Sequence, residues 1–229
     1  MGTISRPVIG IISYFPDKEP DRSQRITRFE RLLKKLTEFL PDVPVLVIAQ
    51  NWNTYYPKQY KIIRHYYEKL GILKARHVLR EKFLESNYNY LIMFDDDALI
   101  QYLVDNPGKA YLDSLEANPD KFMFLQYASS QLNGCAISKY IYKLEPMVDI
   151  DAEKNEGFED AIFSWLLHNK YPEKEFTCTA IKCTHFKNPN EYIPSTWARE
   201  GQKDWKRLRD QTAIIKEYIT INKKFPKLK

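Results

Sequence analysis

Three consecutive carboxylates, Asp95-Asp96-Asp97, close the apolar run Tyr90-Leu91-Ile92-Met93-Phe94. Such a run is the pattern of a buried strand. Three acids at its end are costly to hold together unless positive charge compensates them. A hard divalent cation, Mg²⁺ or Mn²⁺, takes oxygen ligands and commonly brings a phosphate with it. In an open α/β sheet, ligands also gather outside the carboxyl ends of the strands. The triplet therefore predicts a metal–phosphate site. In extended backbone, Asp95 and Asp97 point to one side and share the ion, while Asp96 reaches a different group. The competing reading is an Asp-rich turn or helix start.

Four other stretches carry residues of chemical interest. Glu159 and Asp160 follow Gly157 and open a helix. Acids there suit the macrodipole of any helix, but beside a metal–phosphate site they are candidate general bases. His185 lies just past a strand that contains Cys183, and it is a candidate third ligand for the Asp site. Zinc held by Cys178, Cys183 and His185 is discounted, because no second close-spaced Cys pair exists. Cys178 and Cys183 are also an odd number of residues apart, which puts them on opposite faces of an extended strand. Asn133-Gly134-Cys135 is a small-residue turn before a helix-like stretch, and it lets backbone approach a ligand closely. Arg76 sits in the first turns of a helix that starts after Gly71, where it can bind phosphate or stand as a surface charge.

Strands and amphipathic helices must alternate to position these groups. Val8–Tyr14 reads as a first strand, followed by a helix carrying Ile26, Phe29, Leu33, Leu36 and Leu40 and stopped by Pro41. Val43–Ala49 is a second strand. Lys61–Leu70 and Ile72–Glu85 read as two helices broken at Gly71. Tyr90–Phe94 then leads into the triplet, completing a βαβαβ half. Lys121–Gln126 and Phe176–Cys183 are later strands, and Asp160–His168 is a helix. No pattern is legible over residues 98–120. The fold class is α/β, with a mostly parallel central sheet flanked by helices.

The chain has 229 residues, a length that suits one such domain. No apolar stretch reaches the roughly 20 residues of a membrane span, and no signal peptide is recognised at the start. Three cysteines make no even framework and suggest a reducing, cytoplasmic setting. The net charge is +5, and residues 199–229 hold ten Lys/Arg against four Asp/Glu. That tail is therefore +6 and the rest −1. Trp205, Leu208, Thr212, Ile215 and Ile219 form a narrow apolar stripe on a helix in this basic tail. The stripe packs on the core or lies peripherally on an anionic membrane surface.

Taken together and in this order, the pieces resemble a GT-A glycosyltransferase. Those enzymes have a Rossmann-like nucleotide-binding half, a strand ending in a DxD motif, a glycine-containing loop, an xED motif opening a helix, and a C-terminal His. Here these would be Asp95-Asp96-Asp97, Gly134-Cys135, Phe158-Glu159-Asp160 and His185. The resemblance implies a single GT-A-like domain over residues 1–198, with a nucleotide-binding half (1–97) and an acceptor half (98–198). Residues 199–229 are then a basic C-terminal helix and tail. It implies Mn²⁺ or Mg²⁺ bound by Asp95, Asp97 and His185, and a UDP-sugar donor. Ser13, Tyr14, Asn51, Arg76, Asp95 and Asp96 would hold the nucleotide. Gly134 and Cys135 would line the donor or acceptor pocket. Asp160 would be the general base of an inverting transfer, with Glu159 beside it, and the acceptor would be a glycan or lipid-linked saccharide. Three departures stand out: the second strand ends Ala49-Gln50-Asn51-Trp52 without an Asp, the loop has one Gly, and after His185 the chain matches nothing in the family pattern.

Two rivals remain at this stage. A haloacid-dehalogenase-type phosphohydrolase would use Asp95 as nucleophile, although that motif usually opens a domain. A non-catalytic sugar-nucleotide-binding protein would share the fold. Nucleic acid is not an expected partner, since the strongest constellation is acidic and repels a phosphate backbone.

Overall fold

The computed structural model describes residues 5–128, 132–145 and 159–185, without the side chains of residues 159–162, 165 and 185. Its elements run β1 (Pro7–Tyr14), α1 (Asp21–Phe39), β2 (Val45–Gln50), β3 (Ile62–Tyr67), α2 (Ile72–Glu85), β4 (Tyr90–Asp95), β5 (Ala98–Tyr102), α3 (Pro107–Glu116), β6 (Phe122–Ala128), β7 (Cys135–Ser138), α4 (Lys139–Leu144), α5 (Glu159–Lys170) and β8 (Glu175–His185). The strands form one eight-stranded sheet in the order β3-β2-β1-β4-β7-β6-β8-β5. The β3-β2-β1-β4 half is all parallel. Antiparallel pairs join β4 to β7, β7 to β6, and β8 to the edge strand β5, whereas β6 and β8 run parallel.

Apolar residues on both faces of the sheet demand cover on both faces. On one side α1 buries Phe29, Leu32, Leu33, Leu36 and Phe39 in a core shared with Ile9, Ile11, Ile92, Tyr111 and Cys183. On the other, Leu79 and Phe83 of α2, Ile141 and Tyr142 of α4, and Phe163 and Leu167 of α5 pack against Val8, Leu91, Met93 and Ile137. The helix α1 keeps a nearly complete apolar stripe at 3–4-residue spacing, which is why its opposite face can be filled with cations.

Four sequence expectations change. Lys61–Leu70 is not a helix: Ile62–Tyr67 is an edge strand paired with β2 over six positions. Its β-branched and aromatic residues suit a pleated edge. The unread stretch 98–120 contains β5 and α3. The turn at Asn133-Gly134 leads first into β7, and only then into the short α4. Cys178 and Cys183 are not on opposite faces. The pairing of β6 with β8 slips between Leu125 and Tyr127, and both cysteines end in the same core. Ala180 and Ile181, consecutive in β8, are both buried in that core, so this irregularity breaks the alternation that a regular pleat would impose.

The expected tail helix (residues 199–229) and the outer part of the acceptor half, through residue 198, lie outside the described residues.

Candidate functional site

The carboxyl ends of β1, β2 and β4 meet at one end of the parallel half, as the register Ile12↔Asp95 and Tyr14↔Gln50 requires. Asp95 is the last residue of β4, and Asp96 and Asp97 form the turn that enters β5. They are thus not fully extended. Asp96 is the buried member, 8% exposed, and Arg25 of α1 donates to it at 2.8 Å. The Ser13 hydroxyl also donates to Asp96. Burial raises the Asp96 carboxyl to about 6, against the pull of Arg25 and with help from Asp97 and Asp95. In turn Asp96 raises the Arg25 guanidinium above its ordinary value, so the two hold each other as an ion pair. Asp95 faces the other way, toward the buried guanidinium of Arg76 at 3.4 Å.

Beyond β1 and β2 the chain is clamped by side chains that hold backbone. Arg22 donates to the carbonyls of Pro16, Asn51 and Trp52 at 3.3, 3.1 and 2.9 Å. Asn51, in the left-handed region at φ 54°, donates to Phe15 O at 2.8 Å and to Asp17 Oδ1 at 2.6 Å. Trp52 is fully buried, stacks on Phe15 with centroids 5.2 Å apart, and donates from Nε1 to Ser13 Oγ at 3.3 Å. The ring of Tyr14 is half-buried, with the ammonium of Lys69 6.0 Å from its centroid. A planar group and a cation stand together here, outside the strand ends.

A second wall comes from the turn before β7. Gly134 has φ +79° and donates its N–H to Met93 O at 2.6 Å. A Cβ there would sit 2.5 Å from Leu125 Cδ1, so both conformation and space ask for glycine. Tyr111 donates its hydroxyl to Gly134 O at 2.9 Å. Asn133 accepts from the N–H of Asp95 at 3.3 Å, while its own buried Nδ2 has no partner among the described residues. Cys135 is placed differently from Gly134. Its side chain lies inside the core, and burial raises its thiol well above the usual range.

The predicted residues Ser13, Tyr14, Asn51, Arg76, Asp95, Asp96, Asp97 and Gly134 therefore gather around one end of the sheet. His185 pairs through its backbone with Ala98, the residue after Asp97. Glu159 and Asp160 open α5 as expected. The side chains of these last three lie outside the described residues. Among the described residues no three His, Cys, Asp or Glu side chains are grouped to hold a metal ion; the carboxylates of Asp95 and Asp97 are the oxygen donors that a hard cation keeping phosphate and water ligands would use. Sequence reasoning missed Arg25, the counter-charge of the triplet. Its one signal was the i, i+3 row Arg22-Arg25-Arg28-Arg31 on the first helix.

No protein-family model matches the chain, and no curated protein sequence matches it. Solved structures do. A Desulfovibrio desulfuricans G20 protein assigned as a nucleotide-diphospho-sugar transferase aligns at TM-score 0.53 and 9% identity, covering 93% of this chain and 98% of its own. The S. aureus TarS structure (residues 1–349), solved with UDP-GlcNAc, aligns at TM-score 0.54 and 11% identity, covering 82% of this chain and 62% of its own. The inositol-1-phosphate CTP transferase from T. maritima aligns at TM-score 0.51 and 9% identity, covering 86% and 95%. The chain thus has a mixed α/β fold shared by nucleotide-sugar and nucleotidyl transferases. No helix of the described residues is long and apolar enough to cross a membrane.

Proposed function

We propose that the protein is a Mn²⁺- or Mg²⁺-dependent glycosyltransferase that moves a sugar from a UDP-sugar to a hydroxyl of a glycan or lipid-linked acceptor. One observation carries this reading. The acidic turn Asp95–Asp97 lies at the carboxyl end of the parallel half, flanked by the cations Arg25 and Arg76. Such a site suits a nucleoside diphosphate and its cation together, and the fold's likeness to TarS supports it.

In this reading Asp95 and Asp97 hold the cation, with His185 as the third ligand. A divalent ion held there would supply the positive charge that a departing diphosphate needs. Arg76, fixed by Asp95, adds positive charge at the same oxygens. The Nδ2 of Asn133, without a partner among the described residues, donates to an oxygen entering beside Asp95. Asp96 is held by Arg25 and Ser13 and so shapes the turn, leaving the ion to its neighbours. Tyr14 offers its ring to the base, and Lys69 stands beside it. Gly134 lets the β7 turn approach the donor. Asp160, with Glu159 beside it, removes the proton from the attacking hydroxyl as general base, which inverts the anomeric centre.

The experiment is thermal unfolding with UDP, with Mn²⁺, and with both, on the wild type and on Asp97→Ala. A ligand at about 100 times its Kd adds ~2.7 kcal/mol, roughly 5–10 °C for a chain of this size. A shift that needs both components and disappears in Asp97→Ala is expected, and UDP-sugars are then screened for transfer. No shift with UDP plus Mn²⁺ would sink the reading. CTP and UTP belong in the same screen, because the T. maritima neighbour is a nucleotidyl transferase. Stabilisation by a triphosphate alone, with pyrophosphate released on adding a sugar phosphate, would favour nucleotidyl transfer instead.

A further inference from the structure

Immediately beyond the acidic turn, the chain forms a cleft that the transfer reading leaves unused. It has a volume of about 240 Å³ and lies between α1 and the start of β5, lined by Arg31, Lys34, Lys35 and Glu38 on one side and by Ala98, Leu99 and Ile100 on the other. Three of its side chains are cations and one is an anion. Lys35 is partly engaged, with its ammonium 3.7 Å from the Tyr102 ring centroid and 3.4 Å from Glu38. Arg31 and Lys34 are exposed. The volume falls below the roughly 300–1,000 Å³ of pockets that enclose a drug-sized ligand. It suits one small group of a longer molecule that passes through.

Two features give the cleft a direction. First, Ala98 follows Asp97 directly, so the cleft begins one residue from the turn at which transfer is proposed. Second, β5 is an edge strand, paired with β8 on one side only among the described residues. Among the described residues no strand pairs with its other edge, the side on which an edge strand carries its unpaired backbone donors and acceptors. From Arg28 to Lys35, α1 rises about 10 Å, so its cations follow β5 away from the acidic turn. Arg28 itself is buried where this row meets the turn, and the charge of Asp97 reaches it.

We infer that this cleft binds an oxyanion carried by the acceptor, so that the substrate hydroxyl belongs to an anionic saccharide chain lying along β5. The inference rests on the transfer reading above. Phosphate and carboxylate share the chemistry that Arg31 and Lys34 recognise, a compact oxyanion accepting charge-assisted hydrogen bonds.

The test is fluorescence anisotropy at fixed ionic strength with four labelled probes of matched length: a phosphorylated maltooligosaccharide, an oligogalacturonate, an unmodified neutral maltooligosaccharide and an oligonucleotide. The protein is the full chain, as wild type, Arg31→Gln/Lys34→Gln and Arg31→Glu/Lys34→Glu. Both sites are exposed, so the variants fold. Binding of UDP with Mn²⁺ is measured on each. One or both anionic saccharides bind the wild type at least tenfold more tightly than the neutral one. The Gln variant loses at least tenfold, the Glu variant loses more, and UDP binding is unchanged in both. The variants also separate the cleft from the +6 tail, whose charges they keep. Equal binding of the neutral oligomer, an equally tight oligonucleotide, or undiminished binding in the variants would overturn the inference. Wild type that binds an anionic saccharide through Arg31 and Lys34 but no UDP would sink the transfer reading and keep the cleft. Binding of UDP without either anionic saccharide would sink the cleft alone.

Discussion

Asp96 and Arg25 lie 71 residues apart, and at 2.8 Å their ion pair is shorter than the 3.4 Å pair of Asp95 and Arg76. Burial raises the carboxyl to about 6 from its ordinary 3.8. Between these values the native state binds more protons than the unfolded chain, so this group's contribution to stability falls as pH rises from about 4 to about 6 and is level above. Asp96→Asn removes the titration. The stability of wild type minus that of Asp96→Asn should therefore drop by about 2 kcal/mol between pH 4.5 and pH 7. Urea titrations at the two pH values measure it, and an unchanged difference would show that Arg25 fully offsets burial. Arg25→Gln acts in the opposite sense, leaving a buried carboxylate without its cation. It should cost about 2–3 kcal/mol at pH 7, short of the 3–5 of a fully buried pair, and less at pH 5, where Asp96 takes up a proton. The triplet was legible because three acids after an apolar run have few structural uses. Its partner was not, because no local pattern links residue 25 to residue 96.

At the scale of elements, period was a good guide where one face is buried and a poor one at the sheet's edge. The helix α1 and the strands β1, β2 and β4 follow their patterns closely, as their buried faces demand. In β3 the apolar residues Ile62, Ile63, Tyr66 and Tyr67 fall at helical spacing, yet pairing with β2 decides the outcome. As an edge strand it leaves Ile63 and Tyr66 over 40% exposed, so no alternation was there to read. The cysteines of β8 were misassigned for a related reason, since a bulge is invisible to parity. The helix α3 was not read from the sequence; it starts after Asn106, which lies in the left-handed region, with Pro107 as its first residue. Its Gly108 packs against the end of α1, where an added Cβ would lie 2.0 Å from the Phe39 carbonyl oxygen. That neighbour is backbone and cannot swing aside. Gly108→Ala should therefore cost about 1–3 kcal/mol, although alanine normally strengthens a helix. Chemical denaturation decides it, and a neutral or stabilised variant would mean that α1 and α3 separate easily.

Across the whole molecule, the two cores are not independent bodies. Strand β1 gives Ile9 and Ile11 to one face and Val8 to the other, and β4 gives Ile92 and Phe94 to one and Leu91 and Met93 to the other. Removing the helices from either face exposes apolar side chains of these shared strands. Loss of one core should thus remove support from the other, and the sheet should unfold in a single step. Edge strands are the exception, since β3 and β5 each pair on one side only among the described residues. Under native conditions their amides should exchange through local opening, while those of β1, β4 and β7 should exchange only through global unfolding. Hydrogen exchange followed by mass spectrometry in rising urea tests both points. Peptides from α1 and from α2 should converge on one unfolding free energy, with β3 and β5 joining only near the midpoint. Two separate plateaus, one for each face, would show that the shared strands do not couple the cores. In that case the acidic turn, whose counter-charges Arg25 and Arg76 come from helices on opposite faces, would be held by two independently melting supports.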